Sequence, residues 1–290
     1  MRNALLFLAA IVLSSCSQDP PAQADAPAPA PATTSQQAGY TAGMVSSAHP
    51  IATEAGLEIL AAGGNAFDAA VAIASTLNVV EPMMSGMGGY GTIMVYSAAA
   101  GLPYYLDASG KIPVGVNADV YRAPTPNYMD NRVGPKAVST PGATHAWEAM
   151  HERYGSLAWD DLLQPAIRTA EDGYLLDERI AGYIEYSFGE FSDYSKSIYG
   201  RDGAPLGAGD RLIQSDLGNT LRILAAEGPA AIYGGSLGEA IDSAMRASGG
   251  FLAMTDLENH VAEWWTPLHL SYRDQDFYTQ SEPAGACTML

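Results

Sequence analysis

The sequence predicts an α+β fold, and three observations carry the prediction. Stretches with apolar residues at helical spacing dominate, shorter stretches alternate like strands, and the two kinds mix without a regular strand–helix–strand repeat. The chain is 48% apolar and 16% charged, the balance of a globular protein. About 250 residues follow a compositionally biased N-terminus, enough for one large core or two small ones.

The biased N-terminus comes first. "MRNALLFLAAIVLSSC" carries Arg2 and then an apolar run from Ala4 to Leu13, the length of a secretory signal core and too short for a permanent span. Its end, Leu13-Ser14-Ser15-Cys16, resembles the lipobox of bacterial lipoproteins, which implies lipidation of Cys16 in residues 1–16. Ser17 rather than Asp after that cysteine points to the outer membrane, so the expected location is exported and lipid-anchored on the periplasmic side. Residues 17–39 are mostly Pro, Ala, Ser, Gln and Thr and read as an extended tether.

From residue 40 to 290 the elements follow in order. "HPIATEAGLEILAAGG" reads as a helix with Thr53 as N-cap and Gly63-Gly64 as its stop. A second helix starts at Asn65, is apolar nearly all round and ends at Pro82, as a helix inside a larger structure does. Met83, Met84 and Met87 read as gap-filling packing. Ile93, Val95 and Tyr96, then Tyr104 to Leu106, form a hairpin around "AAAGLP".

Helical spacing resumes at Gly142, with Ala146, Met150 and Tyr154 on one stripe. The next helix has Trp159 ahead of an acidic first turn and Gly173 as its stop, and Asp160-Asp161 complement its dipole there. A third has Ser215 or Asp216 as cap and Leu217, Leu221 and Leu224 on one stripe. "LGEAIDSAMRASGG" and "TDLENHVAEW" continue as helices, and "LHLSYRDQDFYTQ" alternates as strands.

Two motifs suggest chemistry and fail on context. "SGMGGYG" spaces Gly86, Gly88 and Gly91 like a dinucleotide-binding loop, but such a loop follows a strand and opens a helix. Here the order is helix, glycines, strand, so the negative end of the helix faces the loop. The glycines instead predict a buried strand entering against close-packed backbone. Gly234 to Gly238 fits G-x-S-x-G with Ser236 as nucleophile, yet no series of parallel strands precedes it. Only Asp242, Asp256, Asp274, Asp276, His260 and His269 follow to complete a triad. A glycine-rich cap between two helices fits better, and a serine esterase stays as a lesser alternative.

Other classes are excluded by composition. A net charge of −18 leaves too few cations for nucleic acid. His49, His145, His151, His260 and His269 lack zinc spacing, and with Cys16 lipidated only Cys287 remains, so neither a metal site nor an intrachain disulfide is expected.

Taken together, "MVSSAHPIATEAGLEILAAGGNAFDAAVAIASTLNVVEPMMSGMGGYG", "STPGATHAWEAMHERYGSLAWDDLLQPAIRTAEDGY", "IQSDLGNTLRILAAEGPAAIYGG" and "GGFLAMTDLENH" resemble the γ-glutamyltranspeptidase family of N-terminal-nucleophile hydrolases, from about Gly43 to the end. The resemblance implies an αββα sandwich, made as a precursor that cuts itself before a threonine. That threonine attacks a γ-glutamyl or related amide and passes the acyl group to water or an amine, without metal or organic cofactor. The family's nucleophile lies beyond residue 290, so this chain is expected to hold an incomplete sandwich, no catalytic residue, and to need the small subunit as partner. Family members carry Asp-x-Arg-Glu in the substrate loop, where the Arg binds the glutamyl α-carboxylate. Here "LDASGKIP" places Ser109 for the Arg and Gly110 for the Glu. A serine cannot make the bidentate charged contact, and Lys111 in an extended strand would share a face with Ser109 and replace the charge. Acylase-like branches resemble this loop better, which puts glutathione in doubt as the substrate. An inactive fragment or a lipid-anchored binding protein is the alternative.

Overall fold

The computed structural model describes residues 43–84, 86–117, 119–122 and 128–280. The signal, Cys16, the 17–39 tether and Cys287 lie outside the described residues. Among the described residues no helix is long and apolar enough to cross a membrane.

Helix α1 (Pro50–Ala61) begins with Pro at its first position, where a missing N–H costs nothing. Its cap is His49, whose Nδ1 accepts from the Ile51 amide at 3.2 Å. Thr53 sits inside the helix and hydrogen-bonds Ser47 instead, so the expected cap is displaced by one turn. Helix α2 (Ala66–Val80) starts as expected at Asn65, in a reciprocal capping box with Asp68. It ends at Glu81, the residue before Pro82, because the residue ahead of a proline is pushed out of helical backbone.

Strands β1 (Gly91–Ser97) and β2 (Leu102–Ala108) form the expected antiparallel hairpin, with Ile93 opposite Leu106 and Val95 opposite Tyr104. Only Val95 of β1 is buried, while Met94 and Tyr96 are exposed, so the strand is half-buried and not the buried one predicted. Helix α3 (Ala143–Tyr154) buries Ala146 and Met150 of its expected stripe. Helix α4 (Trp159–Asp172) keeps Asp160-Asp161 in its first turn and stops at Gly173, whose φ of 70° suits glycine.

Short strand β3 (Tyr174–Leu175) leads to α5 (Glu178–Ser187) and α6 (Asp193–Tyr199). Strands β4 (Gly200–Arg201) and β5 (Ala204–Pro205) pair with each other, and β6 (Arg211–Leu212) pairs back with β3. Helix α7 (Ser215–Glu227) buries Leu221 and Leu224 with Leu217 packed alongside, but Gln214 holds its cap position rather than Ser215 or Asp216. Helix α8 (Ser236–Ser248) follows a 3-10 turn at Pro229–Ala231 and Gly234-Gly235. Helix α9 (Met254–Glu258) is far shorter than predicted, because the chain turns at Asn259 and His260 into β7 (Glu263–Trp265). Strands β8 (Leu268–Tyr272) and β9 (Gln275–Thr279) form a separate hairpin.

The result is a helical layer over a three-stranded antiparallel sheet of order β1-β2-β7. Helix α2 packs against α1 and α4, α4 against α7, and α3 against the inner face of β1 and β2. One buried cluster joins Val71, Val79, Leu106, Leu163 and Leu221, burial that supplies most of the drive to fold. The outer sheet face carries exposed Met94 and Tyr96.

Candidate functional site

The loop after β2 is where the expected substrate residues lie. The strand stops at Ala108, so Ser109 and Lys111 do not share a strand face as predicted. Ser109 turns back on its own strand: its amide and hydroxyl both donate to Asp107 Oδ1, at 3.3 and 2.6 Å. This is the local Asp-to-backbone turn that "LDASG" encodes. The Ser109 hydroxyl is therefore already engaged. Lys111 pairs with Glu263 of β7 at 3.5 Å, and both side chains are about half exposed, so the pair is worth little. It still places a carboxylate beside the one cation of the 109–111 loop.

Gly110 has a steric reason to be glycine. An added Cβ would lie 2.6 Å from both Ser139 Oγ and the Tyr90 ring. Tyr90 directly follows the glycine turn, so the two loops are packed together. Within that turn only Gly89 is tight, with the Gly86 carbonyl 2.9 Å from its would-be Cβ. Gly86, Gly88 and Gly91 have open space around them, against the expectation of close-packed backbone. What the turn does is deliver a carbonyl: Gly89 O accepts from Gly142 N and Ala143 N at 2.9 and 3.0 Å, at the N-terminus of α3. A cavity of about 370 Å³ opens between α2, α3 and this turn, with Tyr90, Thr92 and Trp147 among its walls. Met84 borders it and is exposed, so it does not fill a gap in the core as Met83 and Met87 do.

Beneath the loop is a cluster that no local spacing announced. His260, nearly fully buried, brings its Nδ1 within 3.2 Å of His145 Nδ1 and its Nε2 within 3.4 Å of the Ser109 carbonyl. Tyr233 stacks on His145 at 3.8 Å between ring centroids and lies parallel to His260 at 5.6 Å. The Tyr233 hydroxyl donates to Pro141 O and accepts from Thr144 and the His145 amide. Burial pushes His145 down to about 4, helped by the neighbouring His260, and burial lowers His260 as well. Burial raises Tyr233. His145 stands 88 residues from Tyr233 and 115 from His260 in sequence, so only the fold assembles them.

The remaining candidates are not brought together. Ser236 opens α8 with Gly235 at its cap, and no strand precedes it. Of the two histidines that follow it, His260 is engaged with His145 and Ser109, and His269 bonds Asp276 in the β8–β9 hairpin. Among the described residues, Ser236 therefore does not stand on a serine elbow. Among the described residues no three His, Cys, Asp or Glu side chains gather as a metal-binding group.

The family model described as Gamma-glutamyltranspeptidase matches residues 52–290. An acylase, the Acylase ACY 1 proenzyme of Pseudomonas sp. (strain V22), is 37% identical over 254 residues, covering 84% of this chain and 45% of the relative. The Glutathione hydrolase proenzyme of Bacillus subtilis (strain 168) is 33% identical over 247 residues, covering 84% and 42%. The crystal structure of Helicobacter pylori gamma-glutamyltranspeptidase superposes with a TM-score of 0.81 at 31% identity, covering 85% of this chain and 72% of that one. The chain spans less than half the length of these curated relatives.

Proposed function

This chain belongs to the gamma-glutamyltranspeptidase family, and from that premise we propose that it is the front part of an exported amidohydrolase. The complete protein transfers an acyl group from a γ-glutamyl or related amide to water or an amine. Its nucleophile is an N-terminal threonine on a segment outside this chain, whose amine serves as its own base. No residue described above replaces that nucleophile. Cys16 anchors the protein to a membrane on the periplasmic side, and replacing Cys16 with Ser should release it into the soluble fraction.

The observation that carries the substrate reading is the state of Ser109. An arginine at that place would offer a planar, doubly donating cation to a carboxylate. Ser109 offers none, since its hydroxyl is held by Asp107. Lys111 is drawn toward Glu263. The loop therefore favours an acyl group without a free α-carboxylate, in line with the resemblance to an acylase. A complete protein, with the threonine-bearing segment joined or supplied in trans, should hydrolyse non-glutamyl amides faster than glutathione. Ser109→Arg should raise γ-glutamyl turnover by about tenfold or more, the scale of one charge-assisted contact. No gain would count against the loop argument.

A further inference from the structure

A line of hydrogen bonds runs from Ser109 through His260 to His145, and the chemistry of its ends assigns where its protons sit. A carbonyl oxygen only accepts, so His260 Nε2, facing Ser109 O at 3.4 Å, must carry the hydrogen. Buried and neutral, His260 then has a bare lone pair at Nδ1. The nitrogen opposite it at 3.2 Å is His145 Nδ1, which must therefore donate. A neutral His145 is left with its lone pair at Nε2, so the line ends there, with a Glu148 carboxyl oxygen 3.6 Å away and outside hydrogen-bond distance. Glu148 borders an open cavity of about 550 Å³ with Glu152, His151, Trp159 and Glu227. Tyr233 stacked across both imidazoles leaves the rings little freedom to flip.

We propose that His260 is a positioning residue for the 109–111 loop, holding the Ser109 carbonyl through its Nε2–H while its Nδ1 accepts from the Nδ1–H of His145. Its catalytic consequence rests on the reading of this loop as the substrate loop. The loop is then fixed along its length: Asp107 takes the Ser109 amide and hydroxyl, His260 the Ser109 carbonyl, and the Thr140 amide the Lys111 carbonyl at 2.9 Å. Fixing backbone before a ligand arrives removes an ordering cost from binding. Gly142 permits the arrangement, since a Cβ there would lie 2.1 Å from the Ala108 carbonyl and 3.2 Å from His260 Nε2.

The test uses the assembled protein, with the threonine-bearing segment joined or supplied in trans, in two near-isosteric variants. In His260→Gln the side-chain amide nitrogen falls where Nε2 was and can still donate to Ser109. In His260→Asn it reaches only the Nδ1 position and cannot. Amide hydrogen exchange at Ser109 and Thr140 at neutral pH should stay near wild type in the Gln variant. It should accelerate about threefold to tenfold in the Asn variant, the scale of one hydrogen bond lost from a local opening. In the wild type, imidazole nitrogen shifts should show His260 protonated at Nε2 and His145 at Nδ1. This measurement decides the matter even if both variants fail to fold. Equal exchange in the two variants, or His260 protonated at Nδ1, would overturn the inference. In the assembled enzyme, His260→Asn should raise KM with kcat little changed. A loosened loop with unchanged KM would instead overturn the substrate reading of the loop, while upholding the contact between His260 and Ser109.

Discussion

Gly110 and His145 show how much single residues decide here. Replacing Gly110 with Ala drives a methyl group into Tyr90 and Ser139, so it should cost about 1–3 kcal/mol, read as a lowered denaturation midpoint. An unchanged midpoint would mean that Tyr90 yields freely. His145 is held at about 4 against 6.5 for a free imidazole, first by burial and then by His260. The groups facing it are His260, Glu148 and Tyr233. Between those two values the unfolded chain binds a proton that the folded chain refuses, so stability falls as pH drops from about 6.5 toward 4. His49 and His260 are lowered too and act in the same direction. Thermal denaturation across that range should slope accordingly, and His145→Phe should flatten the slope. An unchanged slope in that variant would show that His145 is not a partly buried group kept neutral by the fold. Ser109 and Lys111 were legible as a departure from the family's loop. That Glu263 engages Lys111 was not, because Glu263 reaches Lys111 only through the pairing of β7 with β2.

At the scale of elements, helix starts separate local from tertiary causes. Asn65 with Asp68 three residues on is a local signature, and α2 starts there. Asp68 does more than cap, since it also accepts from the Ser156 amide and hydroxyl ahead of α4. Burial works to raise its pKa, but the Ser156 and Asn65 hydrogen bonds overcome this and hold it below the usual carboxylate range. Its stabilising share is thus present above the ordinary aspartate range and lost only as pH falls through that lowered value. Asp68→Ala should cost about 2–4 kcal/mol, a cap plus a buried tie between α2 and the α3–α4 connection. A loss under about 1 kcal/mol would reduce it to an ordinary cap. By contrast Gly182 lies within α5, exposed, with open space where a Cβ would go. Gly182→Ala should stabilise by about 0.5–1 kcal/mol, and a destabilisation would mean that a partner covers that face. The caps at His49 and Gln214 escaped the sequence reading because neither is a favoured capping residue. The truncated α9 escaped it because His260 is drawn toward His145 and the chain then joins the sheet as β7.

For the molecule as a whole, the distribution of exposed apolar groups matters most. Met94 and Tyr96 stand on the outer face of the β1-β2-β7 sheet, and Leu270, Tyr272 and Phe277 on the β8–β9 hairpin are exposed as well. Apolar groups clustered on strand surfaces mark a face that associates. Residues 40–290 expressed alone should therefore aggregate or bind an apolar dye, and the threonine-bearing segment supplied in trans should suppress both. A monodisperse, cooperatively unfolding product would contradict this. The net charge of −18 works the other way, opposing association by repulsion at low salt, so aggregation should strengthen as salt rises.

What the sequence determined by itself is what local chemistry controls. Helical stripes, the Asn65 box, the hairpin at "AAAGLP", the glycine stops and the order of helix, glycines and strand that excludes a dinucleotide loop all depend on residues a few positions apart. The tertiary structure decided what depends on distant partners: which glycines are sterically required, what holds the Ser109 carbonyl and the Lys111 ammonium, and that His145, Tyr233 and His260 meet beneath that loop. The reason is physical. A cap or a turn is set by hydrogen bonds within one stretch of chain, whereas a buried tautomer is set by the groups that packing brings to each ring nitrogen.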